Sequence, residues 1–153
     1  MDLNTKEGAS KGLRDIVIKA HETGDYSELI ATIPYAVTIG VECERFGDEV
    51  IFKLPPKPSN IGNPILPAIH GGVIGGFMEI SASLYLLMFQ DTPKLPKIVD
   101  ISLDYLRAGL DRETYVECKL TRQGSRVANV IVTAWQKSRN EPIALARAHF
   151  LFS

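Results

Sequence analysis

The residues with the most chemical content in this chain are His70-Gly71-Gly72 and, nine positions after the histidine, Glu79 inside an apolar run that extends to Phe89. A glycine pair opening a helix lets a ligand approach the backbone closely. The first N–H groups of a helix have no intrahelical partner and lie at the positive end of its dipole, so Gly71 and Gly72 can polarise a carbonyl as an oxyanion hole does. A carboxylate two turns further in can act as a general base on water or as a nucleophile. Acyl-transfer chemistry uses both kinds of group. The alternatives stay open: an ordinary turn into a helix for the glycines, and a charge-paired structural role for Glu79.

On a helix the neighbours of Glu79 are the residues three and four away, namely Gly75, Gly76, Ala82 and Ser83, all of them small. A glycine inside a helix costs about 1 kcal/mol relative to alanine. Either close packing of another element or an open space beside Glu79 would account for two of them. The open space would be a substrate pocket bounded by Gly72, Gly75, Gly76 and Ser83. Gly72 and Glu79 are seven residues apart, ~10.5 Å along a helix axis. One reacting carbonyl needs its donor at ~3 Å and its attacking water beside it. Two antiparallel helices across a two-fold axis bring one helix start next to the other glutamate, so a homodimer or dimer of dimers with shared sites is expected. His70 either fixes the loop by hydrogen bonding or takes part in catalysis. Asn60 and Asn63 are candidate amide donors to a carbonyl, or turn formers beside Gly62 and Pro64. Val73, Phe77, Ile80 and Leu84 would wall an apolar pocket or belong to the core. Arg107, Arg122 and Arg126 are candidate anion contacts or isolated surface charges. His21 and His149 receive no role.

The elements that must position these residues follow from periodicity and punctuation. Apolar residues at Leu13, Ile16, Val17 and Ala20 predict a helix over 11–23, stopped by Gly24. A short helix over 26–33 closes before Pro34. Strands over 35–45 and 49–54 flank a turn at Gly47-Asp48. Residues 55–67 carry five prolines and form a long loop of the kind that often has a functional role. The central helix runs over 71–90, and Pro93 and Pro96 break the chain after it. Strands follow over 97–106, 113–122, 126–137 and 143–152, and in the second of them Val116, Cys118 and Leu120 face one way. Six strands, mainly antiparallel, and one helix apolar nearly all round predict an α+β fold in which a curved sheet wraps the helix.

Composition bounds the rest. The 153 residues fit one folded unit with its own core, 45% hydrophobic and 23% charged. Net charge is −1, with basic residues scattered rather than blocked, which disfavours nucleic acid as a partner. The apolar run is interrupted by Gly75, Gly76, Glu79, Ser81 and Ser83, as a buried helix rather than a membrane span. Residues 1–10 are polar and lack the apolar core of a signal peptide. Cys43 and Cys118 form no CxxC or Cys/His cluster, so no metal site is expected, and a reducing, cytoplasmic setting is the default.

Together these residues resemble the hotdog-fold thioesterase superfamily, in particular its phenylacetic-acid-degradation type. That pattern has an Asn and a Gly in a loop, then His-Gly-Gly, then an acid nine residues after the His, matched here by His70, Gly71, Gly72 and Glu79. Pro34, Ile39-Gly40-Val41 and Gly47-Asp48 are similar to the family's first hairpin, Tyr105-Leu106-Arg107 to its Tyr-Leu-Arg-Pro strand end, with Ala108 for the proline, and Gly124-Ser125-Arg126 to its later hairpin. The resemblance spans about 33–152, so 1–32 is expected to be an added helical extension and 33–153 the thioesterase-like domain. It implies hydrolysis of an acyl-CoA or related thioester, with Gly71 and a loop asparagine holding the carbonyl and Glu79 of the other subunit activating water or attacking. The CoA phosphates would meet arginines such as Arg107 and Arg126. No cofactor is implied beyond the coenzyme A of the substrate. One departure is Ile98, seven residues before Tyr105, where many members carry a water-positioning Ser or Thr; Ser83 beside Glu79 is the available substitute. Ile98 therefore keeps alive a second function, a non-catalytic acyl-CoA-binding or sensing dimer. A hotdog dehydratase is disfavoured, because Ile65 occupies the place where that branch needs an Asp.

Overall fold

The computed structural model describes residues 3–89 and 94–152; Gln90 and Pro93, like the chain ends at Met1 and Ser153, lie outside the described residues. Helix α1 (Leu3–Thr23) leads into the short helices α2 (Ser27–Ala31) and α3 (Pro34–Ile39). Strands β1 (Glu42–Phe46) and β2 (Glu49–Leu54) form a hairpin, and a 3-10 turn (Pro58–Asn60) precedes the small pair β3 (Ile61–Asn63) and β4 (Ala68–Ile69). The central helix α4 (Gly71–Met88) follows, then β5 (Pro96–Tyr105), β6 (Thr114–Gln123), β7 (Val127–Trp135) and β8 (Pro142–Phe152).

The main sheet has the order β1-β2-β6-β7-β8-β5, and all its pairs are antiparallel. Helix α4 packs against β2, β5, β6, β7 and β8. Its Phe77, Met78, Leu84 and Leu87 are fully buried against Phe52, Val116, Val130, Val132 and Phe150. Each such side chain contributes about 1.5–3 kcal/mol by leaving water, so the helix is apolar because the sheet surrounds it. Cys118 and Leu120 join the edge of that core beside Val116. By length and composition α4 resembles a membrane span, yet ten of its residues are buried within the fold. This is the hotdog arrangement that the resemblance implied, with an extra N-terminal helix.

Two segments differ from expectation. Residues 35–45 do not form one strand: α3 occupies the first half. Pro34 sits at the first helical position with Ile33 extended before it, and Gly40 ends the helix at φ 88°. That is the proline-in, glycine-out signature of a helix, and it outweighs the β-propensity of Tyr35, Val37 and Thr38. Helix α3 thus lies within 33–153, the span expected to be the thioesterase-like domain. The loop over 55–67 is also more ordered than its prolines suggest. Asn60 is buried, its amide Nδ2 donating to Ile39 O at 2.8 Å, and its carbonyl accepts His70 N–H at 2.8 Å. At Gly62 a Cβ would lie 2.8 Å from His70 Cα, so only glycine lets β3 pass this close to the start of α4.

The other end of α4 is held by α1. His21 Nε2 lies 2.8 Å from Met88 O and its Nδ1 3.0 Å from Arg45 Nη1. A carbonyl needs a donor and a guanidinium needs an acceptor, so the ring carries its proton on Nε2.

Candidate active site

His70 caps α4: its Nδ1 accepts the Gly72 N–H at 2.9 Å. The Tyr105 hydroxyl donates to Gly71 O at 2.6 Å. These two bonds grip opposite ends of one peptide unit, the carbonyl of residue 71 and the N–H of residue 72. The ring of Tyr105 also lies 3.4 Å from where a Gly71 Cβ would stand. Val73 and Ile74 N–H groups both turn to His70 O. Of the first donors of α4, the Gly71 N–H is left without an acceptor among the described residues. The expectation that Gly72 offers a second donor to substrate is therefore corrected, since His70 occupies it. His70 itself takes the loop-fixing role, and with Nδ1 accepting, its ring proton is on the exposed Nε2.

The asparagines separate clearly. Asn60 is consumed by the fold, through the bond to Ile39 described above. Asn63 is exposed, and its Oδ1 closes an Asx turn to Ile65 N–H at 3.1 Å. Its Nδ2 has no described partner, which leaves Asn63 as the asparagine with a free donor.

Glu79 is half-buried on α4, and no described side chain or backbone group hydrogen-bonds or ion-pairs with it. The charge-paired alternative finds no support among the described residues. Ser83, one turn on, is half-buried and likewise unpartnered. The glycines before Glu79 do not frame an open space. A Cβ at Gly75 would lie 3.2 Å from Leu103 Cδ2, and one at Gly76 would lie 2.7 Å from Tyr35 Cε1. Close packing is the reason for both: β5 closes one side and α3 the other. Phe77, Ile80 and Leu84 are core, with Val73 packed on its edge, so the apolar stripe of α4 supports the fold rather than walling a cavity.

Three other candidates lie apart from this cluster. Ile98 stands on β5 opposite Phe150, beside a bulge between Ile98 and Asp100; Tyr105 and Leu103, which reach the glycines, lie toward the other end of that strand. Arg107 Nη1 donates to Pro142 O at 2.6 Å, at the start of β8. Arg126 lies by the end of β8, its carbonyl accepting Phe152 N–H. Ten residues of strand separate Pro142 from Phe152, ~34 Å at 3.4 Å per residue, so Arg107 and Arg126 of one chain do not converge on one phosphate. Arg126 instead lines shallow depressions of about 380 and 560 Å³ together with Ser125.

Two residues in the site carried no sequence-based expectation there. Tyr105 entered only as part of a strand-end motif, although its hydroxyl secures the helix start. Tyr35 was placed on a strand, and reading Pro34 and Gly40 as helix punctuation would have moved it to α3. Elsewhere burial pushes the Cys43 thiol up to about 12 and raises that of Cys118 further, so both are protonated structural groups. Among the described residues no three His, Cys, Asp or Glu side chains converge as metal ligands would.

A family model described as thioesterase superfamily matches residues 66–143, the stretch from the loop before His70 to the start of β8. The medium/long-chain acyl-CoA thioesterase YigI of Escherichia coli K12 is similar at 28% identity, over 63% of this chain and 71% of its own. A crystal structure from Chromobacterium violaceum superposes with a TM-score of 0.73 at 39% identity, covering 94% of this chain and 97% of that one. A phenylacetic acid degradation-related protein of Ralstonia eutropha JMP134 shares the fold at TM-score 0.66 and 19% identity, covering 82% and 98%.

Proposed function

The chain belongs to the thioesterase superfamily, and we propose that within it the protein hydrolyses acyl-CoA thioesters, with Glu79 as general base and the Gly71 N–H as oxyanion donor. The observation that carries this is Glu79 itself: a half-buried carboxylate on the core helix with no partner among the described residues. Burying a charge without a partner costs stability, and a site that handles water or substrate is the reason to keep one there. The likeness to an acyl-CoA thioesterase in Escherichia coli supports CoA as the thiol.

In this mechanism the Gly71 N–H and the Asn63 amide receive the thioester carbonyl oxygen. Glu79 takes a proton from water as the water oxygen bonds to the carbonyl carbon. The tetrahedral intermediate collapses, the carbon–sulfur bond breaks, and the thiolate leaves as coenzyme A, recovering the proton from Glu79. No cofactor enters these steps.

Gly71 and Glu79 are eight residues apart on one helix, ~12 Å, too far for one carbonyl to reach both. We therefore assign the two groups to different protomers of a homodimer. The edge strand β5 supports this. It borders only β8 and exposes Val99 and Tyr105, with Leu95 and Leu106 at its ends, an unprotected edge of the kind that pairs with another chain. The two free cysteines, Cys43 and Cys118, suit a reducing cytoplasm. The second reading, acyl-CoA binding without turnover, is favoured by Ile98, which offers no hydrogen bond to a water.

The test is thiol release from CoA thioesters of short, medium, long and aryl acids by wild type and Glu79→Gln. Turnover that falls at least about 100-fold in the variant supports hydrolysis through Glu79. Binding without turnover, equal in both proteins, supports the second reading.

A further inference from the structure

The contact at Gly76 brings the short helix α3 to the helix face that carries the carboxylate. Gly76 precedes Glu79 by three residues, ~4.5 Å along the helix axis, and on nearly the same face. Tyr35 of α3 lies over it, with Cε1 2.7 Å and the hydroxyl 3.4 Å from the position of a Cβ there. The ring is 45% exposed, and no described group hydrogen-bonds to its hydroxyl. A structural tyrosine in this place would bury its ring and bond its hydroxyl. This one leaves nearly half its surface and its hydroxyl open, although its backbone is fixed by α3, which Gly40 ends, and by the Asn60 bond to Ile39 O. The opposite flank, over Gly75, is closed by Leu103, which is part of the sheet core. Tyr35 is thus the wall beside Glu79 that remains open to a ligand.

We propose that Tyr35 is a specificity-determining residue, whose ring packs against the acyl or aryl group of the thioester and favours groups long or wide enough to reach it. This rests on Glu79 being the working carboxylate. A carbonyl held at water on Glu79 has its substituent about one helical turn from the ring. An acetyl group ends short of that distance; a chain of several carbons or an aryl ring does not. Apolar contact of this size discriminates by about 10–200-fold per methylene-scale difference.

The experiment measures kcat and KM for acetyl-, octanoyl- and phenylacetyl-CoA with wild type, Tyr35→Ala, Tyr35→Phe, Gly76→Ala and Glu79→Gln. The readout is the ratio of kcat/KM for octanoyl- or phenylacetyl-CoA to that for acetyl-CoA, in which any loss of folded protein cancels. Tyr35→Ala is expected to lower that ratio at least about tenfold, mainly through KM. Tyr35→Phe, which keeps the ring, is expected to hold the wild-type ratio. Gly76→Ala keeps Tyr35 but forces its ring off the helix, and is expected to move the ratio as Tyr35→Ala does. If both Tyr35→Ala and Gly76→Ala stay within twofold of the wild-type ratio while Glu79→Gln is inactive, the role of Tyr35 is overturned and that of Glu79 stands. Turnover that survives Glu79→Gln, or none by wild type on any thioester, overturns both.

Discussion

Replacing Tyr105 with phenylalanine removes a single oxygen atom from the start of α4. That oxygen donates to Gly71 O at 2.6 Å and, with His70 Nδ1 on the Gly72 N–H, holds the peptide between the two glycines from both ends. Glycine has the widest backbone freedom of any residue, so an oxyanion donor built on Gly71 needs this external restraint. Neutral hydrogen bonds contribute a net 0.5–1.5 kcal/mol. Tyr105 is 53% exposed, so water replaces the lost partner and about 0.5 kcal/mol is expected. For a chain of this size that shifts Tm by about 1–2 °C. The effect on catalysis is larger and of a different kind. Deleting an oxyanion donor costs 10²–10³ in kcat; Tyr105→Phe leaves the donor in place but loosens its aim, and a drop of about tenfold in kcat is expected, ~1.4 kcal/mol of barrier. KM should stay within twofold, because the carbonyl acquires its charge only in the transition state. Steady-state kinetics on the best acyl-CoA, beside a thermal melt, give all three numbers. A kcat within twofold of wild type at an unchanged Tm would refute the clamp as a catalytic device and leave it a packing detail.

Two further outcomes are expected. Gly62→Ala places a Cβ 2.8 Å from His70 Cα, a backbone atom that cannot swing aside, so it should cost about 1–3 kcal/mol in chemical denaturation and lower kcat by moving His70; a stable, fully active variant would show that the hairpin and α4 are not coupled. Glu113 accepts a bond from Tyr115 and pairs with Lys53, which holds its carboxyl below the ordinary value of 4.5. The native state therefore binds this proton less readily than the unfolded chain, so its contribution is complete above pH 4.5 and disappears as pH falls through the lowered value; the Tm difference between wild type and Glu113→Gln should be largest near neutrality and shrink as the pH is taken below 4.5.

Much of the fold was legible because its signals are local. The bounds of β2, 49–54, and the start of α4 at Gly71 follow from alternation and punctuation, and the six strands of the sheet each carry a turn signal. The failure at 35–45 is instructive: the Gly47-Asp48 turn led to a strand over the whole segment, while Pro34 and Gly40 already marked a helix of six residues. The spacing of His70, Gly71 and Glu79 put the candidate residues on one helix, but not which of their atoms are free. That Gly72 loses its donor to His70, that Asn60 is spent on Ile39, and that Gly75 and Gly76 are filled by Leu103 and Tyr35 are all facts of tertiary contact. A small residue in a helix looks the same in sequence whether its space is empty or occupied.

The occupied glycines bear on how the site is held together. Three separate segments meet the first turns of α4. β5 reaches Gly71 and Gly75 through Tyr105 and Leu103, the β3–β4 hairpin reaches its cap through Gly62 and His70, and α3 reaches Gly76 through Tyr35. The hairpin and α3 are in turn joined by Asn60, whose side chain takes Ile39 O and whose carbonyl takes His70 N–H. Replacing Asn60 with a residue that lacks the amide donor would leave the buried Ile39 carbonyl without its partner, the costly way to lose a hydrogen bond, while the backbone bond to His70 N–H remains. It would also free the oxyanion side and the Tyr35 side of the site from each other. A helix start this rich in glycine holds a fixed geometry only because its restraint is imported, and α3 supplies one part of it through Tyr35.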